Sequence, residues 1–86
     1  MNTQLTNDTI CNELCAFVSS HILAEGIELD KSTALNTIGV DSFSLIEIVL
    51  FIERQYGIIL KDETLIPENL KSIETIAGCT FQQLTA

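Results

Sequence analysis

The chain has 86 residues, with four Lys and Arg against twelve Asp and Glu, so it is a single small domain of net charge −8. Such a charge repels phosphate backbones and anionic headgroups, which argues against nucleic-acid binding and favours partners with basic patches. An apolar content of 47% and a mean hydropathy of +0.34 exclude a disordered acidic tail.

The first element in chain order is a helix from about Asp8 to Ala24, with Ile10, Leu14, Phe17, Val18 and Ile22 on one apolar stripe. Thr6, Asn7 and Asp8 offer capping oxygens, and Gly26 is placed to end it. From Gly26 to Val40 the periodicity is lost, which implies a long loop pinned by Leu35 and Ile38. A second helix begins at Asp41 or Ser42, either of which can cap it, and runs to Tyr56 before Gly57. Ile58, Ile59 and Leu60 read as an apolar connection into the core, not as a strand. Pro67 suits the first turn of a short helix over Ile66 to Leu70. Ser72 then caps a last helix from Ile73 to about Leu84, whose inward positions include Ile76, Ala77 and Thr80. The expected fold is therefore all-α: a four-helix bundle of three main helices and one short one, with a long loop after helix one, in one domain over residues 1–86.

Three cysteines without a disulfide framework fit a reducing compartment. Met1 to Asp8 lacks a basic region followed by an apolar run, and the apolar run Leu45 to Ile52 is interrupted by Glu47. The expectation is a cytoplasmic chain that does not insert into membranes, with a monomer as the simplest oligomeric state.

Enzyme chemistry is poorly supplied. His21 is the only histidine and lies mid-helix, where a surface position is the plain reading. Cys11 and Cys15 share a helix face, but the helical wheel turns His21 about 80° from Cys11 and Cys79 is distant in sequence, so no metal site is expected. No glycine-rich phosphate cradle and no calcium loop is present. The reading is a non-catalytic protein with no catalytic residues.

Helix two carries two apolar faces. Leu45, Ile48, Val49, Ile52 and Tyr56 fill an arc of about 100° that suits the core, and Phe43, Ile46 and Leu50 form a second group edged by Glu47 and Glu53. An exposed apolar stripe edged by acids is a docking surface, whereas burial under the long loop would make the same residues structural. Ser42 abuts this stripe at a helix start, where free N–H groups favour an anionic group such as a phosphate, although Asp41 opposes it.

Gly39-Val40-Asp41-Ser42-Phe43, followed by Ile46-Glu47-Ile48-Val49 and Glu53, resembles the acyl carrier protein family, whose signature is a Gly-x-Asp-Ser-Leu segment opening the second helix. Tyr56-Gly57-Ile58, Asp62-Glu63 and Leu70-Lys71-Ser72-Ile73 extend the likeness over about Ile10 to Leu84. The resemblance implies that Ser42, with Asp41 beside it, carries covalent 4′-phosphopantetheine, installed by a phosphopantetheinyl transferase (holo-carrier synthase). The arm would hold acyl intermediates of fatty-acid, polyketide or related origin as thioesters and present them to acyl-loading, ketosynthase or acyltransferase enzymes. The family's docking positions map onto Phe43, Ile46, Glu47, Leu50 and Glu53. An acyl-sequestering cavity would be lined by Leu45, Val49, Ile52 and Ile76. Phe43 in place of leucine, Ser44 in place of an acid, Arg54 on the docking helix and the longer Pro67–Leu70 region depart from the pattern. They suggest a specialised, free-standing carrier rather than the housekeeping fatty-acid one. Two alternatives share the sequence features: an aminoacyl, peptidyl or D-alanyl carrier, and a helical interaction domain without a prosthetic group.

Overall fold

The computed structural model describes residues 6–23 and 26–85. Three helices make up the frame: α1 (Asn7–His21), α2 (Ser42–Tyr56) and α3 (Ile73–Thr85), with single 3-10 turns at Leu35–Thr37 and Asp62–Thr64. No strand occurs among the described residues. No described helix is long and apolar enough to cross a membrane.

Each helix starts where a side-chain oxygen can replace the missing intrahelical acceptor. Thr6 Oγ1 accepts the Thr9 N–H at 3.1 Å to begin α1. Ser72 and Thr75 cap α3 reciprocally: the Thr75 N–H donates to Ser72 Oγ at 3.3 Å, and the Ser72 N–H donates to Thr75 Oγ1 at 3.1 Å. At the end of α2, Gly57 adopts φ 68°, a left-handed conformation that costs glycine nothing, and its N–H returns to the Glu53 carbonyl. Helix α1 stops at His21, short of the expected Ala24, because the N–H groups of Ile22 and Leu23 both turn back to the Val18 carbonyl. Ala24 itself lies outside the described residues, and Gly26 follows with φ 88°.

The core is built from the stripes that periodicity marks. Ile10, Leu14 and Val18 of α1, Ile48 and Ile52 of α2, and Ile73, Ile76 and Ala77 of α3 are buried, together with the loop residues Leu35, Val40 and Leu60. Helix α1 packs chiefly against α3 and more lightly against α2. Tyr56 ties α2 to α1, its hydroxyl donating to Glu13 Oε1 at 2.5 Å. Burial and that carboxylate together push the phenol pKa well above its ordinary value. Thr80 is fully buried but satisfied, since its hydroxyl donates to the Ile76 carbonyl at 2.9 Å.

The expected short helix over Ile66 to Leu70 does not form. That segment is a run of turns in which the Leu70 N–H is shared between the carbonyls of Ile66 and Pro67, at 3.1 and 3.2 Å. The physical reason is length: Pro67 lacks an N–H, and the Ser72 cap begins the next helix before enough residues accrue to offset nucleation. Ile58–Leu60 is a connection without strand pairing, as expected. Only Leu60 is buried, however; Ile58 is half-buried and Ile59 points outward.

Truncating a fully buried isoleucine tests this core. Ile52→Ala should cost about 2–5 kcal/mol, a large share of a small domain's stability, read as a lower urea midpoint. Ser72→Ala should cost about 1 kcal/mol by the same measurement, through loss of the α3 cap.

Candidate functional site

The geometry at the start of α2 follows from the loop before it. Leu35 is buried, its N–H donates to the Lys71 carbonyl at 2.9 Å, and its carbonyl accepts the N–H of Val40 at 3.2 Å. The loop also supplies a backbone cap to α3, with the Lys31 carbonyl accepting the Glu74 N–H at 2.9 Å. Gly39, at φ 90°, lets the chain reverse between Ile38 and the buried Val40. Asp41 follows in extended conformation as the N-cap, and Ser42 is the first helical residue.

Of the two capping candidates, the structure selects Asp41, whose Oδ1 accepts the Ser44 N–H at 2.9 Å. That hydrogen bond favours the carboxylate and lowers its pKa. Ser42 is therefore relieved of capping: it is exposed, and among the described residues no hydrogen bond holds its hydroxyl. A free hydroxyl on a rigid helix start is open to covalent modification by another protein.

Phe43, Ile46 and Leu50 are 70%, 57% and 45% exposed, so the long loop does not cover them. Glu47 is exposed on the same helix. Glu53 differs from these four. It is half-buried, and its Oε2 accepts the Leu60 N–H at 3.2 Å, tying the end of α2 to the following segment.

Beside Ser42 lies an open apolar groove of about 760 Å³. Its walls are Leu45, Ile46, Val49 and Leu50 of α2, Leu35 and Val40 of the loop, and Leu65, Pro67 and Leu70 of the turns before α3, with Asn36 and Lys71 as polar members. Two of the four residues expected to line an acyl cavity, Leu45 and Val49, are there. Ile52 and Ile76 are not; they belong to the closed core shared by the three helices. The turn residues opposite α2 were missed because nothing in their local pattern shows which helix they fold against.

His21 is exposed at the end of α1, its ring stacked on Phe17 at 4.9 Å. Cys11 is buried, and Cys15 and Cys79 are half-buried. Burial is the main cause that raises all three thiol pKa values, so they are poor nucleophiles at neutral pH.

A family model described as "Phosphopantetheine attachment site" matches residues 12–80. The chain belongs to this family, whose members bind 4′-phosphopantetheine covalently on a serine, and its role is that of a phosphopantetheine carrier. No curated protein matches the chain.

Two outcomes follow from the division of labour at Asp41 and Ser42. Ser42→Ala should leave stability within about 0.5 kcal/mol of the parent in a urea melt, because the cap is the neighbouring residue. The Asp41 contribution is present in full above the ordinary aspartate pKa and is lost as pH falls through the lowered native value. An acid titration followed by circular dichroism should show that loss in the parent and not in Asp41→Asn.

Proposed function

We propose that Ser42 is the attachment serine and that the chain is an acyl carrier protein. The observation that carries the assignment is the free Ser42 hydroxyl on the first turn of α2, opening onto an apolar groove. Of the six serines, Ser72 is buried in the α3 cap and Ser44 is half-buried. Ser19, Ser20 and Ser32 are exposed but do not line that groove.

The prosthetic group supplies a flexible arm whose thiol forms thioesters. Ser42 anchors it through its oxygen, and Asp41 holds the helix start rigid so that the anchor does not swing. The groove favours acyl over aminoacyl cargo. Its walls are apolar apart from Asn36, Ser42 and Lys71, and no carboxylate lines it to meet an ammonium group. Phe43, Ile46, Glu47 and Leu50 form the face that meets a phosphopantetheinyl transferase and the acyl-loading, ketosynthase or acyltransferase enzymes. Glu53 serves mainly to hold Leu60 and borders that face. The protein itself catalyses nothing, is monomeric, and works in the cytoplasm within a specialised pathway.

Intact mass after incubation with coenzyme A, Mg²⁺ and a broad-specificity phosphopantetheinyl transferase tests the assignment. The parent should gain one phosphopantetheine and Ser42→Ala none. A gain on Ser42→Ala moves the site to another serine. No gain on the folded parent removes the carrier role. Acyl cargo is tested separately, by supplying the loaded arm directly as acyl-coenzyme A or aminoacyl-coenzyme A in the same reaction. A medium-chain acyl group should raise the melting temperature above that of the holo form, and an aminoacyl group should not.

A further inference from the structure

A second groove, of about 520 Å³, runs between α1 and α2 and is lined by Phe17 and His21 from α1 and by Glu47, Leu50, Phe51 and Arg54 among the residues of α2. Its aromatic members come from both helices: Phe17 stacks on Phe51 at 4.3 Å with 16° between the ring planes, and on His21 at 4.9 Å and 19°. Leu50 lines this groove and the one beside Ser42, so the two are continuous across a single leucine ridge.

Charge gives the groove a direction. Arg54 is the only basic residue of α2 and one of four Lys and Arg in the chain, and it is exposed. Phe43, Leu50 and Arg54 fall within about 40° on the helical wheel, so Arg54 continues the exposed stripe at its far end. Glu47 and Arg54 are two turns apart, about 10 Å along the axis, too far for their charges to neutralise one another directly. The planar, always charged guanidinium can pair with a carboxylate through two parallel hydrogen bonds, which gives the exposed pair a defined geometry.

We propose that this groove receives an acidic side chain of the partner protein docked on α2, and that Arg54 selects among partners by pairing with it. The complementary partner surface has an apolar centre for Phe43, Ile46 and Leu50, a base opposite Glu47 and a carboxylate opposite Arg54. A partner with bases at both ends is rejected at Arg54 by like charge. The proposal rests on the reading of α2 as a docking helix.

Two synthetic helical peptides with the same leucine stripe and a lysine placed to face Glu47 test it, one ending in Glu and the other in Lys at the position that faces Arg54. Titrated into the isotopically labelled full chain, the Glu peptide should bind about fivefold tighter than the Lys peptide, the size of one favourable ion pair. Amide shifts should centre on Phe17, Leu50 and Arg54, and Arg54→Glu should invert the preference in a chain that still melts cooperatively, at a slightly lower temperature because a last-turn cation is lost. An equal preference in parent and Arg54→Glu, shifts confined to other faces, or binding by neither peptide would overturn the proposal. So would concentration-dependent self-association that Arg54→Glu abolishes, since the acidic occupant would then be a second copy of this chain. The mass-gain experiment is scored separately: a chain that takes up no phosphopantetheine yet keeps the peptide preference loses the carrier role alone.

Discussion

The position of Ser42 depends on how the long connection after α1 is fastened at Leu35. That residue is buried, donates its N–H to the Lys71 carbonyl and accepts the Val40 N–H, so it joins the loop to the start of α3 and turns the chain toward α2 in one place. Without the fastening, Asp41 and Ser42 would sit at the end of a long free segment. With it, they sit at a defined corner of the bundle. Loop residues also complete the core, since Val40 and Leu60 are buried in one cluster with Ile48 and Ile52.

Asp41 takes the capping task at the start of α2, and Ser42 is left with a free hydroxyl. A serine that caps a helix commits its oxygen to a backbone N–H, whereas a serine that carries a group must keep that oxygen free. Asp41 accepts the Ser44 N–H, and the ionised carboxylate suits the positive end of the helix dipole. The same economy is visible at Glu53, whose carboxylate is drawn to the Leu60 N–H and away from the open face. Polar groups near a helix end satisfy the backbone first, and those left over are available to partners.

The open side of α2 faces two grooves of different chemistry. One is apolar and reaches Ser42; the other has an aromatic floor and a basic end. Leu50 stands between them and lines both. A helix with one core face and one open face places an exposed serine and an exposed apolar stripe on the same rigid element.

The sequence by itself determined the three long helices, since the apolar periodicity and the capping residues act within a few positions of one another. It also marked Ser42 and the second apolar face of Phe43, Ile46 and Leu50, but it left open whether the long loop covers that face; the structure leaves it exposed. Four matters were decided by the tertiary structure: which residue caps α2, the failure of Ile66–Leu70 to form a helix, the inward turn of Glu53, and the true walls of the groove. Each depends on contacts between segments far apart in the chain. The family resemblance placed Ile52 and Ile76 in the groove, but the packing of three helices closes over them, and Leu65, Pro67 and Leu70 line the groove opposite α2. Helical periodicity reports which side of a helix is apolar; it does not report what that side meets.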